Sequence, residues 1–318
     1  MAFTKKIKIH GETTANTGFG TNAANYGGRF LNKDGSPNIK KTGIAFLERY
    51  SWFHTMLTMS RWRFFFTILF FYISVNLIFT FVYYLIGVEH LAGLDMSTEK
   101  EKFMEAFFFS TQTYTTVGYG RISPTGFLMN VASSFHALIG LLSFAVATGL
   151  MYGRFSRPKA YIKFSDNALI SPYKDGKALM VRLTPFKNTS LSDAEVKLTL
   201  VIVNEQNGTS SNQFFSLPLE ISTINTLTLS WTLVHPITEE SPLYSFTEED
   251  FKNIKGELII YMKAFDDLFS NTVITRSSFT FEEFVYGAKY KPMFHRDHTA
   301  NTTVLELDKL SDYDNVTL

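Results

Sequence analysis

The residues of this chain best suited to chemistry are Thr116-Val117-Gly118-Tyr119-Gly120, and the groups that suit them to it belong to the backbone. Selecting a potassium ion requires carbonyl oxygens at successive levels that replace its hydration shell. Gly118 and Gly120 allow backbone conformations that other residues resist, so carbonyls can stack in register. Thr116 adds a hydroxyl at the inner mouth, which places ion coordination at Thr116, Val117, Gly118 and Tyr119. Tyr119 and the aromatics before it are expected to pack behind this strand and hold its diameter. One copy cannot enclose an ion, so several must share an axis. Gly-Tyr-Gly alone is usually a turn, and the flanking sequence decides between the two.

Those flanks are apolar. Residues 64–87 carry no charge and exceed the ~20 residues a spanning helix needs. Residues 126–155 form a second candidate, uncharged as far as Gly153 and holding Ser133, His136, Ser143 and Thr148, which suit a helix facing water or partners. Between them, 101–121 reads as a short apolar helix running into the glycine-containing strand. Non-helical backbone at membrane depth is tolerated where it lines water or is buried in protein. Lys40, Lys41, Arg49, Arg61 and Arg63 precede the first span, while Arg154, Arg157, Lys159 and Lys163 follow the second. This asymmetry predicts that both termini are cytoplasmic. Segment 44–63 has helical apolar spacing and reads as an amphipathic helix at the interface. Segment 1–43 is polar and Gly/Asn-rich, expected to be mobile or draped on another surface, and it lacks the apolar stretch of a cleaved signal peptide.

Beyond Pro158 the pattern changes to short β-branched runs separated by turns: 178–183, 195–203, 213–221, 226–234, 257–264 and 272–281. Six or more such runs over 158–300 predict an all-β, immunoglobulin-like sandwich, with 301–318 as a polar tail. The fold class expected is therefore a two-span α-helical pore domain with a re-entrant helix, joined to a cytoplasmic β-sandwich.

Composition excludes several alternatives. The net charge of +1 gives no field for nucleic acid, and the absence of cysteine removes disulfides, thiolate metal sites and cysteine nucleophiles. The histidines show no metal spacing, and Asp266-Asp267 has no nucleophile or base beside it, so no enzyme and no cofactor are expected apart from the permeant ion. Neither span holds an arginine series, so there is no voltage sensor.

Taken with Ser60-Arg61-Trp62-Arg63, Gln112 to Gly120, Tyr152-Gly153-Arg154-Phe155-Ser156-Arg157-Pro158, Leu229 to Ile237, Glu240 to Tyr244 and Ala264 to Phe279, the chain resembles the inward rectifier potassium channels, especially their bacterial branch. The resemblance implies a homotetramer in a prokaryotic inner membrane, with a slide helix near 44–59, a pore helix near 103–114 and a cytoplasmic vestibule. Gly140 falls at the family's hinge, and Gly149 offers a second flexible point, although close helix packing explains either equally well. Tyr152 falls where the family narrows the pore, with a lipid-facing tyrosine as the alternative. Asp267, Phe269, Ser270 and Asn271 match the family's cytoplasmic constriction.

Departures from the family pattern bear on mechanism. Phe144 stands where strong rectifiers carry an acid. Asp193 matches one acidic vestibule position, but Lys263 replaces a second and repels polyamines. The expectation is weak rectification, with weak block by magnesium or polyamines. Gln112 replaces a carboxylate that in relatives pairs with the arginine after Gly-Tyr-Gly, so Arg121 needs another partner. Arg61, Trp62, Arg63, Arg157, Lys159 and Lys187 form the expected contact with anionic or phosphoinositide lipid, or the basic ones serve as plain positive-inside anchors. His136 either faces the cavity or makes a neutral helix contact. A nonselective cation channel, or a non-conducting membrane sensor that binds a ligand on its β domain, remains an alternative function.

Overall fold

The computed structural model describes residues 29–45, 48, 51–94, 98–206 and 209–318. The chain divides into two compact units, one of Thr42–Arg157 and one combining the segment up to Lys41 with Pro158–Leu318.

The first unit is helical. Helix α1 (Trp52–Thr58) starts at Ser51, whose hydroxyl accepts from the His54 N–H. It ends at Met59, and Ser60 then caps a new helix, α2 (Arg61–Ile86), by accepting from the Arg63 N–H. The continuous amphipathic helix expected over 44–63 is thus broken. Two serine caps compete with helix continuation, so Arg61, Trp62 and Arg63 form the first turn of the spanning helix. The parts of the expected slide helix at residues 46, 47, 49 and 50 lie outside the described residues. Helix α3 (Glu99–Tyr114) is capped by Thr98, and α4 (Phe127–Phe155) follows Gly126. Helices α2 and α4 are long and apolar enough to cross a membrane, with mean hydropathy 2.2 and 1.7 over their best windows. Short strands β1 (Leu91–Ala92) and β2 (Ser123–Pro124) pair antiparallel and close the segment that holds α3. Under them Tyr83, Leu91, Ala106, Phe109, Ile122 and Met129 form a buried cluster.

The second unit is a sandwich. One sheet contains β6 (Leu191–Gln206), β7 (Thr209–Leu217), β8 (Thr223–Leu227), β10 (Gly256–Asp266) and β11 (Asn271–Thr280). The other contains β3 (Ile162–Phe164), β4 (Ala168–Tyr173), β5 (Gly176–Pro185), β9 (Trp231–Pro236) and β12 (Phe284–Tyr286). Alternation decides which side chains meet between the sheets. Leu198, Leu200 and Ile202 of β6, Leu258, Ile260 and Met262 of β10, and Leu179, Val181 and Leu183 of β5 share one core. The 226–234 run is split between β8 and β9, which lie in different sheets. The short helix α5 (Glu248–Asn253) adds Phe251 to an aromatic cluster with Phe246, Phe281 and Phe284.

One further expectation needs correction. Segment 301–318 is not a loose tail: β15 (Thr302–Leu305) pairs with β14 (Phe294–Asp297), and β16 (Tyr313–Asn315) pairs with β13 (Ala288–Tyr290). Leu310 is buried and Ser311 donates to Asp166. Few apolar residues are needed here, because backbone pairing supplies the order.

Residues 29–38, part of the polar stretch expected to be mobile or draped, dock on the outer face of the β6–β10 sheet. Phe30 and Leu31 pack on Val201, Phe214 and Ile259. The buried carboxylate of Glu257 accepts from both backbone N–H groups, at 2.6 Å from Phe30 and 3.1 Å from Leu31. Arg29 pairs with Glu283 at 3.1 Å, and Ser278 Oγ donates to Leu31 O at 2.6 Å. Removing the carboxylate strands two buried donors at ~1–3 kcal/mol each. Glu257→Ala is therefore expected to raise the rate of tryptic cleavage after Lys33 at least tenfold in the otherwise native protein. An unchanged cleavage rate would show that the segment is held by something else.

Candidate ion pathway

The strand after α3 has a distinctive backbone. Thr116, Gly118 and Gly120 have φ of 58°, 53° and 81°, while Val117 and Tyr119 between them stay outside the left-handed region. Positive φ at alternate residues turns successive peptide planes so that like groups share one side, the arrangement that also builds ion-binding backbone concavities. A β-branched residue with positive φ is a conformational outlier, so Thr116 is held there by its surroundings. Helix α3 ends in a widening turn, with the Thr116 N–H donating to Thr113 O and the Val117 N–H to Gln112 O at 3.1 and 3.0 Å. Residues 116–120 are all exposed on the single chain. Tyr119 is 80% exposed, so the aromatic support expected behind the strand does not come from Tyr119 within one copy.

Support within the copy comes from residues that spacing did not reveal. The Ser110 hydroxyl donates toward Asn76 O at 2.9 Å and Asn76 Oδ1 at 3.0 Å, while Asn76 Nδ2 donates to Tyr72 O at 2.8 Å. This buried polar group ties α3 to α2. Tyr114, at the end of α3, meets Tyr72 edge-on at 5.3 Å and lies 5.9 Å from the His136 ring. His136 is fully buried, stacked on Phe79 at 3.9 Å with Nδ1 2.9 Å from the Tyr83 hydroxyl. It is a helix contact and does not face a cavity. Gly140 lies against the same turn: a Cβ built there would stand 2.1 Å from the Tyr114 carbonyl oxygen. Of its two readings, close packing is the one the geometry supports. At Gly149 a Cβ meets nothing within 4 Å.

Arg121 finds its partner one helical stretch upstream. Its guanidinium bonds the carboxylate of Glu105 on α3 and reaches Gly93 O at 3.4 Å. Phe144 and Tyr152 are each 74% exposed along α4. Arg61, Trp62, Arg63 and Arg157 are exposed at the helix ends of this unit.

In the β unit, the turn between β10 and β11 carries Asp267, Phe269, Ser270 and Asn271. Asp266 Oδ1 accepts from the Leu268 and Phe269 N–H groups at 3.0 and 3.2 Å, and Ser270 has φ 47°. Asp267 is tied to the start of β6, accepting from Ser190 Oγ at 2.6 Å and Ser192 Oγ at 2.7 Å. These hydroxyls hold its carboxyl below the usual range, Ser190 more than Ser192, so it stays charged at neutral pH. Leu268, missed by pattern, is 79% exposed beside it.

Asp193, with φ 47°, sits in a β-bulge where two residues of β6 oppose one of β10. Lys263 is directly across from Glu195, whose carboxylate bonds Lys197 at 3.1 Å. Lys263 therefore faces Glu195 across the ladder, with Lys197 already paired to that carboxylate. Lys159 is exposed, and Lys187 places its ammonium 4.0 Å from the Tyr161 ring centroid. His235, within the Leu229 to Ile237 motif, bridges Pro218 O at 2.7 Å and Ser241 Oγ at 2.8 Å. Burial pushes its pKa down, which makes it a neutral structural link between β9 and the following loop. Among the described residues no group of His, Asp or Glu is arranged to hold a metal.

Comparison with known proteins agrees with this architecture. The family described as inward rectifier potassium channel C-terminal domain matches residues 162–318, and the one described as ion channel matches 67–157. The inward rectifier potassium channel Kirbac3.1 of Paramagnetospirillum magnetotacticum is 34% identical over 272 residues, covering 84% of this chain and 89% of that one. The G protein-activated inward rectifier potassium channel 2 of Rattus norvegicus is 25% identical over 330 residues, covering 90% and 76%, and the Mus musculus protein gives the same figures. With two helices able to cross a membrane, a helix and strand between them and a β-sandwich after them, the chain belongs to the inward rectifier potassium channel family of membrane proteins.

Proposed function

We propose that four copies of this chain surround an axis and pass potassium passively through a filter of carbonyls from Thr116, Val117, Gly118 and Tyr119, with Gly120 ending it. The observation that carries this reading is the alternation of φ sign along an exposed Thr-Val-Gly-Tyr-Gly strand. It supplies the like-facing carbonyls that replacing a hydration shell requires. Both termini face the cytoplasm, following the basic flanks, and the likeness to a bacterial relative supports a prokaryotic inner membrane. The exposed Phe144 and Tyr152 line the path below the filter, and Tyr152 narrows it at the end of α4. The Asp267–Asn271 turn forms the cytoplasmic constriction.

Purified protein in liposomes is expected to take up potassium or rubidium, to be blocked by barium, and to exclude sodium at least tenfold. Sodium flux equal to potassium flux would replace this reading with a nonselective cation channel. No flux in any lipid, together with a soluble ligand for the β domain, would replace it with a sensor.

Rectification is weak in this reading. Phe144 offers no charge to a blocking cation, and Lys263 offsets the acids beside it. Steep, voltage-dependent polyamine block in a bilayer recording would contradict that assignment. Anionic lipid acts through Arg61, Trp62, Arg63, Arg157 and Lys159, where each exposed basic charge contributes ~1 kcal/mol of attraction to an anionic surface. Lys187 contributes less, its ammonium already resting on Tyr161. Neutralising Arg61, Arg63 and Lys159 together is expected to shift the lipid dose for half-maximal flux upward at least tenfold. An identical dose response would remove lipid from the mechanism.

A further inference from the structure

Arg154 stands two residues past Tyr152, in the last turn of α4, at the head of the basic run that follows the second span. Its guanidinium is committed elsewhere. Nη1 donates to Met56 O at 2.7 Å, Nη2 donates to Met59 O at 2.9 Å, and the planar group lies 4.5 Å from the Phe64 ring centroid. Met56 lies in the last turn of α1 and Met59 is its C-cap, so both carbonyls lack a donor from their own helix. Phe64 lies in the first turn of α2. One side chain therefore fastens both sides of the Met59–Ser60 break to the end of α4. Leu57, Phe64 and Leu150 bury one another at the same junction. A Cβ at Gly153 would stand 3.2 Å from Leu57 Cδ2, so α1 lies close against the last turn of α4.

We infer that Arg154 is a positioning residue for the gate. It latches the interfacial helix α1 to the end of α4, so that displacement of α1 at the membrane surface reaches Tyr152, and it is not a headgroup ligand. The inference rests on the reading of Tyr152 as the gate. A planar guanidinium spans two carbonyls and stacks on a ring, whereas an ammonium does neither equally well. Lysine in its place would keep the charge but lose the latch.

The cysteine-free chain allows spin labels at Thr55→Cys and Ser156→Cys, with labelled subunits diluted so that each tetramer carries one. The native chain should give a narrow distance distribution. Arg154→Lys and Arg154→Gln should both broaden it and cut lipid-stimulated rubidium flux at least fivefold, with the half-maximal dose of phosphatidylglycerol unchanged. Arg154→Lys matching the native protein in distances and flux would overturn the inference, since charge alone would then suffice. So would an Arg154→Gln protein with native distances and a shifted lipid dose, which would make Arg154 a headgroup ligand. Tyr152→Ala tests the underlying reading separately. Unchanged flux in that variant would overturn the gate, and the positioning role with it, while the label distances would still report whether the latch exists. Broadened distances with native flux, in a protein whose flux does respond to Tyr152→Ala, would overturn the positioning role alone.

Discussion

Gly140→Ala is expected to abolish rubidium flux and to lower the temperature at which the proposed tetramer dissociates, whereas Gly149→Ala leaves flux within twofold of the native protein. A Cβ at Gly140 would stand 2.1 Å from the carbonyl oxygen of Tyr114, 2.8 Å from its carbonyl carbon and 2.9 Å from its Cα. All three are backbone atoms at the end of α3, so no side chain can rotate to relieve the contact. Either α4 moves outward or the last turn of α3 shifts by about 1 Å. Overpacking of this kind costs ~1–3 kcal/mol, and here it falls two residues before Thr116. Displacing positioned groups by ~1 Å is enough to cost orders of magnitude in function. Gly149 meets nothing within 4 Å on its own chain, and alanine there improves helix propensity by ~1 kcal/mol. If Gly140 acted as a hinge without close packing, alanine would reduce gating transitions while leaving the tetramer as stable as the native one. Comparing dissociation temperature with flux separates the two.

Glu105→Ala and Arg121→Ala are each expected to cut potassium flux at least tenfold with little loss of folded protein. Arg121 follows Gly120, the last glycine of the proposed filter, and its guanidinium is held by Glu105 and Gly93 O. The side chains are 55% and 23% exposed, so the pair contributes at most ~1 kcal/mol to folding. In the proposed filter its effect is on the outer end of a strand whose spacing must match an ion. Exchanging the charges, Glu105→Arg with Arg121→Glu, should recover flux above either single alanine variant. Native flux in Glu105→Ala would show that the strand's outer end is fixed by other contacts.

The parts of this structure that could be read from sequence follow simple periodicities. The spans were visible as long uncharged runs, and the β domain as short alternating ones, because burial in lipid or between sheets constrains side-chain type directly. What escaped was set by local chemistry and by long-range contact. Ser60 divides α1 from α2 by capping, which outweighs the helical apolar pattern on either side. Glu105 could be sought as the partner of Arg121 once Gln112 was seen to lack charge, but several acids lie nearby and only the fold chooses. Asn76, Ser110 and His136 are polar residues within apolar runs, and nothing in their spacing says which helix each will meet. The final segment looked like a tail because its order comes from backbone pairing.

The docked segment at 29–38 constrains how the protein is made. Arg29 and its acceptor Ser278 are separated by 249 positions, with both membrane helices between them. At about 5–20 residues per second during synthesis, the segment emerges on the order of 10–50 s before its binding surface exists. Throughout that interval Phe30 and Leu31 have no site of their own to occupy, while α2 and α4 enter the bilayer. Completing the sandwich is therefore what seats residues 29–38. A chain truncated before β10 would lack Glu257 and Ile259 and display the unburied Phe30-Leu31 pair, which would mark it as unfinished to the machinery that removes incomplete membrane proteins.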